Sequence, residues 1–317
     1  MKKRILWATA CIAVSPAAFA DEGGVSFWLP GQMGSFAAAP AEPGWSLPLV
    51  LYHTQPSAGR TNEFLTGGKV TTGLDAKATL LFAVPTYTFA EPVAGAQAAV
   101  GVGFAVGNMK AKVDSTLTGP NGNTLAGGEE QSTSGGSDLY PTASLKWNRG
   151  VHNTMAYTMM GVPVGAYQKG RLANIGINHW SVDGGGGYTY FDPKAGNEFS
   201  VVAGVTYNFK NSDTQYKNGV SGHIDWAASH FVTAQTHVGL VGYVYNQLSG
   251  DSGSGAVLGD FKSRVSAIGP QVGYFFPIGG KKWYVNVKGY WEFNANNRPE
   301  GWNVWTSLVI PFGEGAK

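Results

Sequence analysis

The chain is short of cysteine, of charge and of long apolar runs. Its one cysteine, Cys11, lies in the first 20 residues. Those residues have the layout of a secretory leader. Lys2, Lys3 and Arg4 form a positive start, Ile5 to Val14 an apolar stretch, and Ala18-Phe19-Ala20 an A-x-A cleavage site. The apolar stretch is too short for a membrane helix, which takes about 20 residues, and too short ahead of Cys11 for a lipoprotein signal. Cleavage after Ala20 removes Cys11, and with it disulfides, thiol catalysis and cysteine–metal sites.

Charged residues make up only 13% of the chain, about half the share usual in a soluble domain. Three of the 22 Lys and Arg fall in the leader, leaving 19 against 20 Asp and Glu. No basic stripe remains to bind nucleic acid. After residue 20 no apolar run reaches helix-spanning length. Any membrane crossing must therefore use strands, which cross a bilayer only as a closed barrel.

Glycine and aromatics are abundant instead, with 46 Gly and 13% Phe, Trp and Tyr. The aromatics fall in an alternating pattern. Between Lys282 and Asn294, Trp283, Val285, Val287, Trp291 and Phe293 share one face, opposite Tyr284, Asn286, Lys288, Tyr290 and Glu292. Aromatic ends around an aliphatic middle match a lipid-facing strand with its girdle. Similar alternation runs through Glu198 to Phe209, Leu139 to Asn148, Val220 to His230 and Trp302 to Phe312.

Short connections, such as Asn148–Val151 and Asp192–Gly196, alternate with long polar ones, such as Ser57–Gly68, Thr118–Ser137 and Lys169–Asn178. The expected fold is all-β, an antiparallel transmembrane β-barrel of about 12 strands, with short periplasmic turns and longer extracellular loops. A soluble β-sandwich or β-solenoid is the rival, but it has no need of aromatics at strand ends. The expected organisation is a signal peptide over 1–20, an N-terminal segment or plug over 21–45, and the barrel over 46–317. The segment lacks a strand period yet carries Phe27, Trp28, Met33 and Phe36. A flexible tail stays open as a reading, but so many large apolar groups favour a segment folded into the barrel mouth.

Several stretches resemble a known family. They are Gly24-Val25-Ser26-Phe27-Trp28-Leu29-Pro30-Gly31, Val84-Pro85-Thr86-Tyr87-Thr88-Phe89, Asp138-Leu139-Tyr140-Pro141, Gly185-Gly186-Gly187-Tyr188-Thr189-Tyr190, Gly269-Pro270-Gln271-Val272-Gly273-Tyr274 and Arg298-Pro299-Glu300-Gly301-Trp302. Together they resemble the meta-pathway phenol-degradation family of outer-membrane proteins, with its sphingosine-induced branch, which is distantly similar to long-chain fatty-acid transporters. The resemblance covers nearly the whole mature chain. It implies a porin-like channel for hydrophobic or aromatic small molecules, and it carries over no catalytic residue. Against the fatty-acid transporters this chain is shorter, with a shorter N-terminal segment and fewer strands, and residues follow its last aromatic, Phe312.

If the alternation holds, Asp75, Lys77, Lys146, Asp183, Glu198, His223, Asp225, Lys288 and Glu292 point inward, because a lipid-facing Lys or Arg at mid-depth costs about 2–4 kcal/mol. Mutual pairing across the lumen is favoured over a row of permeation sites, given similar numbers of both signs. Pro85, Pro141, Pro163 and Pro270 fall in expected strands, where each must break a ladder bond or sit at a bulge. Gly161, Pro163 and Gly165 are the candidates for a gap through which an apolar ligand leaves sideways. Gly184 to Gly187 mark either a bend or a close approach to the wall.

The rival function classes are a lipid-modifying hydrolase and a purely structural barrel. Gly250-Asp251-Ser252-Gly253 looks like a serine-nucleophile segment, but a nucleophile needs a histidine and an oxyanion hole. His223, His230 and His237 are the candidate bases, and His223 with Asp225 reads better as a lumen hydrogen-bond pair. Asp251 and Asp260 could at most hold calcium weakly. No cofactor and no metal site is expected. The expected partners are outer-membrane lipid and lipopolysaccharide, the barrel-assembly machinery and a hydrophobic small-molecule ligand.

Overall fold

The computed structural model describes residues 26–63, 69–118, 123–256 and 262–312. The expected signal peptide, over 1–20, lies outside them. Fourteen strands form one antiparallel sheet: β1 (Gly44–Glu63), β2 (Lys69–Ala83), β3 (Thr86–Thr88), β4 (Gln97–Thr118), β5 (Thr124–Gly136), β6 (Tyr140–Arg149), β7 (His152–Gly161), β8 (Ser181–Asp192), β9 (Asn197–Asn208), β10 (Ser221–Phe231), β11 (Thr236–Gln247), β12 (Arg264–Ile278), β13 (Lys281–Asn296) and β14 (Glu300–Phe312). β14 pairs back onto β1, from Trp45 opposite Phe312 to Ser57 opposite Glu300, and this closes the barrel.

β3 continues β2 after a break at Val84-Pro85, and both pair with β1 and β4. β5 and β6 share one position beside β4, β5 along its upper part and β6 along its lower. The wall therefore has 12 strands.

Alternation sets the two faces. In β13, Val287, Trp291 and Phe293 are exposed on the outside, while Asn286, Lys288 and Tyr290 are buried inside. Leu51, Leu81 and Val106 form one exposed apolar row across β1, β2 and β4. At the closing seam Trp45 lies beside Tyr87 and Phe312, at centroid distances of 5.3 and 6.4 Å. An apolar outer belt of this kind needs a bilayer around it, so the chain is a membrane-spanning barrel of the outer-membrane type. β7 to β11 run 10 to 12 residues, which is enough to cross at a tilt.

Two expectations about loops fail. Thr118–Ser137 is mostly strand, because β5 pairs with β4 from Val106 opposite Gly136 to Thr118 opposite Thr124. Ser57–Gly68 is strand as far as Glu63. Both stretches are polar because they rise above the apolar belt and meet water on both faces, so composition could not separate them from loops.

The prolines are unequal. Pro141 and Pro270 lie within β6 and β12. Pro270 falls where the β12–β13 ladder skips from Ile268 to Gln271, so its missing N–H costs no bond there. Pro85 sits in the break before β3. Pro163 lies beyond the end of β7, whose last bridge joins Val162 to Leu139. That level is also the start of β8 and the end of β9, paired at Ser181 and Asn208. Pro163 is thus at the rim and opens no gap in a paired wall, contrary to the expectation for a lateral gate.

Candidate functional site

The lumen of a barrel with about 8 strands is filled by its own side chains; a wider one leaves room for something else. Here residues 26–41 occupy that room. They contact inward-facing side chains of β4, β6 and every strand from β8 to β13. A segment with no strand partner must still satisfy its backbone N–H and C=O groups once it leaves water. The wall supplies the partners, and most of them are ionisable.

The tightest grip is on Gly31 to Met33. Asp225, from β10, accepts hydrogen bonds from the backbone N–H of Gly31 at 2.9 Å and of Met33 at 3.1 Å. Lys288, from β13, donates to the carbonyls of Gly31, Gln32 and Met33 at 2.6, 3.3 and 3.0 Å. The Tyr290 hydroxyl also donates to the Gly31 carbonyl at 3.2 Å. The anion takes the donors and the cation takes the acceptors of one tripeptide. Gly31 is required here: its φ is +85°, and a Cβ would fall 2.9 Å from the Tyr243 ring and 3.0 Å from the Tyr290 ring.

Lower in the barrel, Glu198 on β9 accepts from the Ser35 hydroxyl at 2.8 Å and from the Phe36 N–H at 3.1 Å. Gln271 donates to the Ser35 hydroxyl oxygen. The Ala38 N–H donates to Thr189 Oγ1 at 3.1 Å, and Lys146 donates to the Ala39 carbonyl at 3.0 Å. Gln97 makes a reciprocal pair with the backbone of Ala41.

Higher up, Trp28 stacks on His223 at 3.6 Å between centroids. His223 Nε2 lies 3.0 Å from Asp183 Oδ2, and Asp183 also accepts from the hydroxyls of Tyr157 and Thr206. Gly185 and Gly204 clear the wall for this group. A Cβ on Gly204 would overlap the Tyr157 hydroxyl, and one on Gly185 would overlap the Ala203 carbonyl and fall 2.9 Å from that hydroxyl. The glycine run in β8 is therefore a place of close approach, not a bend. Around the upper segment stand Tyr52, Tyr243, Tyr245, Tyr290 and Trp305, packed with Leu29.

These are the inner walls of a closed aromatic-lined barrel holding its own N-terminal segment. A family model described as "Putative MetA-pathway of phenol degradation" matches residues 60–308. The chain belongs to that family. No curated protein sequence matches it. Among solved structures it is similar to a COG4313 outer membrane channel from Pseudomonas putida F1, at 16% identity, covering 90% of this chain and 100% of that one, with a TM-score of 0.68. A FadL homologue from Pseudomonas aeruginosa aligns over 93% of this chain and 97% of its own, at 9% identity, but its TM-score of 0.41 carries no argument.

For this family member the candidate residues read from sequence separate into groups. Lys146, Asp183, Glu198, His223, Asp225 and Lys288 come together around residues 26–41. Asp183 and His223 are hydrogen-bonded to each other in the lumen. The other four bind backbone of the segment instead of each other. Glu292 stands near the upper rim, accepting from the Tyr243 hydroxyl and the Gly301 N–H. Asp75 and Lys77 are exposed on the outer row with Leu81, level with Lys112 and Lys110. They lie outside the lumen, and they can be charged there because β2 has by then risen above the apolar belt.

Gly161 meets the segment, since a Cβ there would fall 2.7 Å from the Phe27 ring. Gly165 meets Asp138, which accepts from the N–H groups of Gly165 and Ile177 and so holds the 162–180 loop over the rim. Asp251 is used within the loops, accepting from the Tyr216 hydroxyl and the Gly219 N–H. Asp260 lies outside the described residues. Ser252 forms a backbone bridge with Lys217, in the outer loops, whereas His223 is paired with Asp183 in the lumen. Among the described residues no group of His, Cys, Asp and Glu could hold a metal. Gln97, Thr189, Gln271 and Tyr290 were missed, although strict inward parity would have marked the last three.

Gly161 gives a prediction. A valine there must displace either the hydrogen-bonded wall or the Phe27 ring, and overpacking typically costs about 1–3 kcal/mol. The segment gives way more easily than the ladder. Gly161→Val should speed amide exchange in residues 26–33 while the barrel still migrates faster unboiled than boiled in detergent gels.

Proposed function

We propose that this protein is an outer-membrane channel for hydrophobic, ring-bearing small molecules, shut at rest by residues 26–41 acting as a plug. The observation that carries this reading is the lumen itself. It is lined by tyrosine and tryptophan, and its charged groups hold the plug's backbone. A general porin for hydrophilic solutes would instead leave a water-filled, polar channel. Membership of the phenol-degradation family and the likeness to the outer membrane channel of Pseudomonas putida F1 support it. Opening requires the plug to shift toward the periplasmic mouth, where the segment joins β1. On the outer row above the apolar belt, Lys110 and Lys112 pair with Glu130 and Asp114 at 2.7 and 2.6 Å, and Lys77 is the cation that fits the phosphates of lipopolysaccharide.

A deletion strain tests this. Uptake of a dilute aromatic compound should slow without the gene and recover with the wild-type copy. Purified wild-type protein and its Ser252→Ala and His223→Ala variants should not differ in hydrolase activity. Unimpaired uptake would leave a structural barrel. Robust hydrolysis abolished by either substitution would make it an enzyme.

A further inference from the structure

At the periplasmic end, the Phe36 side chain sits inside a cage of five rings. Phe191, His237 and Phe275 lie 5.2, 5.4 and 5.6 Å from its centroid, at 87°, 86° and 70°, with Phe231 and Tyr284 at 6.1 and 6.2 Å. They come from β8, β10, β11, β12 and β13. Such edge-to-face placement is the preferred arrangement of aromatic rings. The wall rings also pack on one another: Phe275 stacks on Tyr284 at 4.4 Å, and Phe231 stacks on Phe275 at 6.2 Å. The cage is carried by five strands of the wall, and its occupant belongs to the plug.

Two further observations mark that occupant as replaceable. Phe36 has a φ of +63°, in the left-handed region where a residue with a Cβ is strained. Its ring is delivered against backbone preference, with its N–H held by Glu198 and Ser200. The cage also contains a polar group that phenylalanine cannot serve. His237 is fully buried, its Nε2 lies 3.0 Å from the Tyr284 hydroxyl, and its Nδ1 has no hydrogen-bond partner. A neutral imidazole nitrogen either donates or accepts according to tautomer, and a phenolic hydroxyl can answer either.

We infer that this cage is a binding site for one hydroxylated aromatic ring, filled by Phe36 when the channel is closed and by the ring of a phenol when it is open. The inference rests on the channel reading and deepens it. It gives the substrate class as a monocyclic phenol, and it makes the substrate a competitor of the plug. The cage faces the periplasmic mouth, so it is the last site a ligand occupies before release.

Hydrogen exchange on the purified full-length barrel in detergent tests it, with phenol as the probe and cyclohexanol and toluene as controls. In the wild type, phenol should raise exchange at residues 35–38 saturably, cyclohexanol should not, and toluene should need several-fold more. His237→Phe should abolish the preference for phenol over toluene. Phe36→Ala empties the cage, and phenol should then raise its melting temperature saturably; if that variant fails to assemble, the wild-type titration decides. No exchange response to phenol, or the same response to cyclohexanol, overturns the inference. Normal aromatic uptake without a phenol response sinks the cage and leaves the channel. A phenol response without any uptake defect on deletion sinks the channel and leaves the cage.

Discussion

Excising residues 26–41, with residues 1–25 and β1 kept, should turn a closed barrel into a continuously open pore. Those residues fill a lumen that twelve strands make too wide for wall side chains alone to fill. The wall does not need them. Its closure runs through the β1–β14 ladder of thirteen paired positions, from Trp45 to Ser57, all outside the deletion. The shortened protein should keep heat-modifiable migration and give a sustained open level in planar bilayers, where the wild type gives a narrow or shut trace. Lys288, Asp225 and Glu198 would then meet water, so the open pore should pass hydrophilic solutes that the wild type excludes. Identical traces from both proteins would mean that the segment does not block the lumen.

Neutralising the central grip should have the next largest effect. Asp225 and Lys288 together make five hydrogen bonds to Gly31, Gln32 and Met33. Hydrogen bonds to charged groups contribute about 1.5–3 kcal/mol each, and each 1.4 kcal/mol is tenfold in an equilibrium. Most of that gross strength is returned when water enters the lumen. A net loss equal to one such bond still shifts the plug by about 10- to 100-fold toward release. The double variant Asp225→Asn/Lys288→Met is the informative one, because either single change strands a buried charge beside its former counterpart. Open probability in bilayers should rise by that order, and protease cleavage within residues 26–41 should rise with it. An unchanged open probability in an assembled double variant would place the resistance to opening elsewhere.

The wall was legible because lipid imposes a period of two. Trp283, Val287, Trp291 and Phe293 could face outward only if Tyr284, Lys288 and Tyr290 faced in, and they do. The rule loses force where the strands leave the bilayer. Above the belt both faces are wet, and so Asp75 and Lys77 can be charged on the outer row while the polar run from Thr124 to Gly136 is still strand.

The inner arrangement was half legible. Parity placed Asp225 and Lys288 on one face of the wall, but not opposite Gly31 and Met33, which lie 192 to 257 residues away in sequence. Their partners are backbone amides and carbonyls, which carry no residue signature at all. Similar numbers of both signs suggested ion pairs, whereas the charges mostly balance a peptide backbone. Pro163 misled for a related reason: a proline between apolar residues reads as strand, and only the ladder shows that β7 has already ended.

A reversible tether on the inner segment tests most directly whether a ligand passes only when that segment moves. The chain's one cysteine is Cys11, so with Cys11→Ser a new pair in the barrel reports alone. The Ala38 N–H is 3.1 Å from Thr189 Oγ1, close enough for Ala38→Cys/Thr189→Cys to join the segment to β8. Cells carrying the oxidised pair should lose uptake of a dilute aromatic compound, and a thiol reductant should restore it to the level of either single variant. Full uptake through a barrel shown by gel mobility and mass spectrometry to be completely cross-linked would contradict the account.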